Sequence, residues 1–350
     1  MLAVSIVGCG LIATQKYLPI LSRLKQTARV VGLCELDREK LEGAARKFSI
    51  AHAYTDLEQM LSQQKPDLAI ICTPPATHAS LAVQAMEGGA HVLLEKPMAL
   101  TIEECDAINQ AAKKHSRKVG VMHNQLFNPA FMQAREIMSR GEIGEFVGMR
   151  IMLVTNTDYM TSHKDHWAHK LPGGVLGETG PHAVYLSLAC LQEVNDVQLR
   201  YRKVLPDYPW SIGEDIRFDL IAKNGFSSIA LVYASRNTAM LVDIIGTDAL
   251  LCLDLEGRIL VKYGRKGALP TASEIGRSVL SNTFQQGTGL LRNVARLPFS
   301  EALNPHYIGT SKFLEHLTNG AEFPSSGEDG KRVVSTMAMV VRRLREAKPS

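Results

Sequence analysis

The sequence predicts an α/β protein in two parts: a doubly wound parallel sheet, followed by an α+β domain with a large, mainly antiparallel open sheet. Three observations carry this. Short apolar runs alternate with longer helical patterns through residues 1–122, and glycine-marked hairpins replace that alternation from residue 123 onward. The length, 350 residues, suits two domains of roughly 150 residues each. The apolar runs are Ala3–Val7, Val30–Cys34, Leu68–Cys72, His91–Leu94 and Lys118–Met122. Runs apolar at successive positions are buried on both faces, as parallel strands covered by helices are. Thr55 reads as the start of one intervening helix. Thr101-Ile-Glu-Glu104 reads as a capping box, in which hydroxyl and carboxylate each satisfy a backbone N–H.

In the second part, Asn128–Arg140 has the pattern of a helix stopped by Gly141, and Glu145–Asp158 that of a long strand. Asn224-Gly225 lies between the strand patterns Ile216–Lys223 and Phe226–Ala234. Glu256-Gly257 lies in the same way between Leu250–Leu255 and Arg258–Tyr263. Both pairs predict tight hairpins. Residues 264–304 have weak periodicity and scattered Gly and Pro, which points to an insertion or a lid. Helical patterns over Pro305–Asn319 and Gly327–Ala347 close the chain and can pack back on the first domain. The expected domains are 1–122 and 123–350.

Composition excludes several classes. With 45% hydrophobic and 21% charged residues, neither disorder nor a collagen-like repeat is tenable. The net charge is only +4, and the one dense basic run, Arg342, Arg343, Arg345 and Lys348, reads as a solvated helix face; no nucleic-acid partner is expected. Six cysteines without a Cys-x-x-Cys pair suit free thiols in a reducing cytoplasm. The apolar start, Met1–Ala13, has no basic region before it and is interrupted by two glycines, so it is not read as a signal peptide. No apolar stretch approaches the length that spans a membrane, and no membrane partner is expected.

Gly8-Cys-Gly10-Leu11-Ile12-Ala13 follows the first run and opens a helical pattern. The first glycine allows a tight turn, and the second lets the backbone approach a pyrophosphate. The small third residue permits close helix–strand packing, and the helix start offers N–H donors to phosphates. This is a dinucleotide fingerprint, although an S-adenosylmethionine site would use similar glycines. Glu35 ends the second run where an acid would bind ribose hydroxyls, with Asp37 beside it. A carboxylate there repels a 2′-phosphate and favours NAD; Arg38 leaves NADP open.

Cys72-Thr73-Pro74-Pro-Ala-Thr-His78 and His91-Val-Leu-Leu-Glu95-Lys96-Pro97 close two of the runs, at the strand ends where an open α/β sheet binds its ligand. Gly173-Gly-Val-Leu-Gly-Glu178-Thr-Gly-Pro-His182 is a glycine-rich turn leading into a helix that carries an acid and a histidine four apart, on one face. The order and spacing of these motifs resemble the glucose–fructose oxidoreductase/inositol dehydrogenase (Gfo/Idh/MocA) family across nearly the whole chain. The resemblance implies a Rossmann first domain that binds the cofactor and a second domain that binds substrate and carries catalysis.

It also implies residue roles: His182 as acid/base, Lys96 as the orienting and electrostatic group, Glu178 as auxiliary acid. Chemistry agrees, because a histidine titrates near neutrality and a lysine stabilises alkoxide character. Cofactor contacts are expected from Gly8, Gly10, Leu11, Ile12, Glu35, Arg38, Thr73, Pro74, His78, Glu95, Lys96 and Asn124, and substrate contacts from Lys96, Tyr159, His166, Trp167, Glu178 and His182. Trp167 suits stacking on a sugar ring. The chain departs from the family at three places. Glu178 stands where aspartate is common, Tyr185 where an aspartate commonly follows the histidine, and Leu126 where the family pattern has arginine.

His163, His166 and His169 recur every third residue and drift around a helix, and no local carboxylate or cysteine completes a familiar ligand set with them, so no metal site is expected; the family resemblance implies a substrate-facing loop there. The expected activity is hydride transfer between a nicotinamide and a secondary hydroxyl or keto group of a sugar, a sugar derivative such as a nucleotide sugar, or a cyclitol. Two alternatives stand beside it: an NAD-retaining glycosidase that uses transient oxidation, and a catalytically silent NAD-binding sensor. A homodimer or homotetramer through the second domain's sheet is expected from the resemblance.

Overall fold

The computed structural model describes residues 1–264, 269–295 and 303–349. Contacts divide the chain into two compact units. The first comprises residues 1–124 and 304–335, the second 125–303 and 336–350.

The first unit holds six strands, β1 (Leu2–Val7), β2 (Ala28–Cys34), β3 (Ala53–Tyr54), β4 (Leu68–Ile71), β5 (His91–Glu95) and β6 (Val119–Met122). Their order is β3-β2-β1-β4-β5-β6 and every pair is parallel. The two-residue β3 is too short to show any periodicity in the sequence. A π-helical turn, Ala13–Tyr17, leads from the glycine turn into α1 (Leu18–Arg23); α2 (Arg38–Phe48), α3 (Leu57–Gln64), α4 (His78–Glu87) and α5 (Ile102–Lys114) follow. The start of α3 is corrected from Thr55. Its N-cap is Asp56, whose carboxylate accepts the Gln59 N–H at 2.7 Å. The capping box on α5 is present, with Thr101 and Glu104 satisfying each other's backbone. Val7, Ile71, Leu94 and Val121, one from each of four strands, share an apolar cluster with Met60, Met86 and Ile108 from the helices.

The second unit begins with α6 (Pro129–Ser139), capped by Asn128, and contains α7 (Val175–Leu188). Its sheet has seven strands, β7 (Phe146–Asn156), β8 (Val194–Arg202), β9 (Asp215–Ala222), β10 (Gly225–Ser235), β11 (Ala239–Gly246), β12 (Ala249–Asp254) and β13 (Ile259–Gly264), in the order β13-β12-β11-β7-β10-β9-β8. Only β7 and β10 are parallel; all other pairs are antiparallel. Alternation along β7 turns Met149, Ile151 and Leu153 inward, against the side on which α7 packs, and leaves Arg150 and Met152 outward.

Both hairpins form, with different turns. At β9–β10, Ala222 pairs with Gly225, so Lys223-Asn224 is the turn. Gly225 is required by its φ of +145° and because a Cβ there would lie 2.6 Å from the Val147 carbonyl oxygen. At β12–β13, Asp254 pairs with Ile259, giving a four-residue turn in place of Glu256-Gly257; the Asp254 carboxylate accepts the Gly257 N–H at 2.9 Å.

The expected lid region contains the helix α8 (Ala272–Ala295), which packs on β13. Within that stretch, residues 265–268 and 296–302 lie outside the described residues. The final helices are α9 (Pro305–Asn319) and α10 (Gly327–Glu346), and α10 contributes residues to both units. Within the first unit, the Ser325 carbonyl accepts the Val121 N–H, and Phe313 of α9 closes over Gly120 of β6. Among the described residues, no helix is long and apolar enough to cross a membrane.

Candidate functional site

In the first unit the glycine turn sits at the carboxyl end of β1. Gly8 has φ +90°, and a Cβ there would come within 2.9 Å of the Thr73 backbone nitrogen. Only glycine fits. A Cβ on Gly10 would meet nothing within 4 Å, so the main chain there faces open space that a phosphate can enter. Ala13 is fully buried, and Leu11 is exposed. Glu35 closes the turn from the end of β2. Its carboxylate accepts the Cys9 N–H at 2.9 Å and the Asp37 N–H at 3.0 Å. Arg38 begins α2 on the surface. Burial, followed by the charge of Glu35, pushes the Cys9 thiol up to about 12, so it stays neutral inside the turn.

Thr73 and Pro74 line the loop after β4, next to Gly8. His78 is fully buried, with Nδ1 2.9 Å from the Pro97 carbonyl oxygen and Nε2 2.9 Å from that of Thr73. Burial holds its pKa below the usual histidine value although both carbonyls pull it upward. Its side chain therefore staples the β4 loop to the β5 loop, and it shapes the site through those loops.

Glu95, also buried, turns its carboxylate inward. It accepts the Tyr17 hydroxyl at 2.7 Å, lies 3.4 Å from His306 Nε2, and accepts the Lys96 N–H at 3.3 Å. Burial alone would raise its pKa, but His306, Tyr17 and the charge of Lys96 outweigh burial and hold the carboxyl below its usual value. Lys96 follows at the strand end, half-buried, and Asn124 opens a 3-10 turn, Asn124–Phe127. The part played by Tyr17 and His306 was invisible in the sequence, since both reach Glu95 from distant segments.

In the second unit, α7 is buried almost all round and needs small residues to fit. A Cβ on Gly177 would lie 2.6 Å from the Pro172 carbonyl oxygen, and one on Gly180 would lie 2.9 Å from Met337. Glu178 lies in its first turn and His182 one turn later, both half-buried. His182 Nδ1 is 2.7 Å from the Tyr185 hydroxyl, and Tyr185 Oη accepts the Gln125 N–H at 3.1 Å. Tyr185 is a partner that the i, i+3 spacing contained in principle; in the sequence it stood out only as a departure from a family pattern.

An aromatic shelf adjoins Glu178. Tyr159 and Trp167 are exposed, and the His166 ring sits between them, 6.1 Å and 5.6 Å away centroid to centroid. Burial first, then the charge of Glu178, raises the Tyr159 pKa; burial lowers that of His166. His169 is tied locally, its Nε2 3.2 Å from the Met160 carbonyl oxygen, and His163 is exposed. Among the described residues no group of three His, Cys, Asp or Glu side chains converges as a metal site would.

Comparison with known proteins places these features. Residues 2–123 match the model of an oxidoreductase family with an NAD-binding Rossmann fold, and residues 131–251 match the GFO/IDH/MocA C-terminal domain. The chain belongs to the GFO/IDH/MocA oxidoreductase family. Among curated relatives of this GFO/IDH/MocA protein, Oxidoreductase P35 of Formosa agariphila is 26% identical over 199 residues, 55% of this chain and 61% of its own. The D-apiose dehydrogenase of Paraburkholderia graminis is 23% identical over 92% of this chain and 82% of its own. Over the first of these, the match thus spans about three fifths of the relative's length. Among solved structures, the WlbA dehydrogenase of Bordetella pertussis, in complex with NADH and UDP-GlcNAcA, superposes with a TM-score of 0.80. It is 16% identical and covers 99% of this chain and 96% of its own. That likeness is one of fold. The GFO/IDH/MocA assignment accounts for both sheets and makes the first unit's glycine turn that of an NAD-binding Rossmann domain.

Proposed function

We propose that this protein is an NAD-dependent dehydrogenase acting on a secondary hydroxyl of a sugar, a sugar derivative or a cyclitol. The observation that carries the reading is the Glu35 carboxylate, hydrogen-bonded to the Cys9 N–H inside a glycine turn whose second glycine faces open space. A carboxylate fixed there accepts ribose hydroxyls and repels a 2′-phosphate, which favours NAD over NADP. The residues fit the cofactor: Gly8 and Gly10 for the pyrophosphate, Glu35 for the ribose, and the loops after β4 and β5, stapled by His78, for the nicotinamide half.

Bound NAD supplies the hydride acceptor; the chain's own groups handle the proton. His182 takes the hydroxyl proton as the hydride leaves the carbon, and returns it in the reverse direction. Lys96 holds the reacting oxygen and stabilises its developing negative charge. Glu178 orients a neighbouring hydroxyl, and the Tyr159–His166–Trp167 shelf offers ring faces to a sugar. The D-apiose dehydrogenase and the WlbA complex support a carbohydrate-like substrate. The test is NADH formation from D-apiose, myo-inositol and UDP-N-acetylglucosaminuronate with wild type, Lys96→Ala and His182→Ala. Turnover should be abolished in both variants while NADH binding persists; full activity in either would contradict the assignment.

The second unit's outward sheet face supports association with a second copy. Met152, Leu241 and Ile245 are exposed on it, and a groove of about 1300 Å³ runs between the sheet and Leu290 of α8.

A further inference from the structure

We propose that Tyr185 is a positioning residue. It clamps His182 through Nδ1, fixes the ring's tautomer, and thereby assigns proton exchange to Nε2. This rests on the reading of His182 as the acid/base.

The geometry is a relay from main chain to imidazole. The phenol is 2% exposed, so its hydroxyl must be satisfied within the protein. The Gln125 N–H, in the 3-10 turn Asn124–Phe127, donates to Oη at 3.1 Å and ties the hydroxyl oxygen to the main chain. His182 Nδ1 lies 2.7 Å from that oxygen, and the two rings meet edge to face at 5.5 Å and 70°. Three residues apart on α7, they share a helix face.

The proton chemistry decides which partner donates. For Nε2 to take a proton from a hydroxyl and give it back, Nδ1 must keep its own proton in both states. One state is the neutral ring and the other the imidazolium. Nδ1–H therefore donates to Tyr185 Oη, which accepts from Gln125 as well, and the phenol's own O–H is directed away from the imidazole. That tautomer is the minor one of free histidine in water, so the clamp leaves a signature that simple packing would not.

The test is long-range ¹H–¹⁵N correlation on the full chain near pH 8, with the His182 signals identified by their loss in His182→Gln. Wild type should show the Nδ1–H tautomer, and Tyr185→Phe should revert to Nε2–H. An Nε2–H ring in wild type, or a tautomer unchanged in Tyr185→Phe, would overturn the proposal. If Tyr185→Phe does not fold, the wild-type spectrum alone decides. Kinetics add a second readout on D-apiose, myo-inositol or UDP-N-acetylglucosaminuronate, whichever turns over. Tyr185→Phe should lower kcat about 10- to 100-fold, with KM within about threefold, because misorientation costs the chemical step more than binding. Combined with His182→Ala it should cost nothing further. An active His182→Ala would refute the acid/base reading and this proposal with it. An inactive His182→Ala beside a fully active Tyr185→Phe would refute this proposal alone.

Discussion

At Glu35 a single carboxylate joins the backbone of the glycine turn to the place where a ribose would lie. Glu35→Ala should weaken NADH binding about 10- to 100-fold, the worth of charge-assisted hydrogen bonds of roughly 1.5–3 kcal/mol. Fluorescence titration of NADH checks this, and unchanged affinity would remove Glu35 from the site. His123 gives a pH prediction. Burial lowers its pKa to about 4, with Asp329 and Glu95 pulling weakly the other way. Between that value and the unfolded value near 6.5, the unfolded chain binds the proton and the folded chain does not, so stability falls as pH drops through this window. The buried, lowered His78 adds to the same trend. Urea unfolding at pH 7 and pH 4 should differ by about 3 kcal/mol on His123's account, and His123→Gln should flatten that part of the slope. The fingerprint was legible at this scale because the backbone itself demands Gly8 and the turn needs an acid near it. Tyr17 and His306 were not, because their hydrogen bonds to Glu95 join segments with no local pattern in common.

Among the elements, α9 is held to β6 through Gly120. A Cβ there would stand 2.6 Å from the Phe313 ring and 2.8 Å from that of Phe323. Gly120→Ala should therefore cost about 1–3 kcal/mol by overpacking, measured as a lower urea midpoint at unchanged slope. An unchanged midpoint would mean that α9 yields at no cost. The apolar strands of the parallel sheet could be read directly from the sequence. Strand β8 could not: it is an edge strand with one fully buried residue, Val197, and its polar alternation looks like a loop. The hairpins were visible, but their turns shifted; at β9–β10, Gly225 answers to the Val147 carbonyl on β7 more than to the turn beside it. In α7 the glycine-rich start was legible from spacing, while Glu178 and His182 stood out through the family resemblance. The clamp by Tyr185 depends also on the Gln125 N–H, which no side-chain pattern reports.

For the whole molecule, the seven-stranded sheet leaves apolar side chains outward that a second copy would cover. Light scattering should give a mass above that of the 38.4 kDa chain, and Leu241→Asp should lower it toward the monomer with the circular dichroism unchanged. A wild-type monomer would show that the face is exposed in solution. Composition and net charge were silent on function; the order of three short motifs along the chain was not. The most direct test of the account is the absorbance of NADH released when NAD⁺ and D-apiose, myo-inositol or UDP-N-acetylglucosaminuronate are mixed with wild type and with His182→Ala. At least one of these should yield NADH continuously with wild type and none with the variant. Cleavage of a glycosidic bond without net NADH, or equal NADH from both proteins, would contradict it.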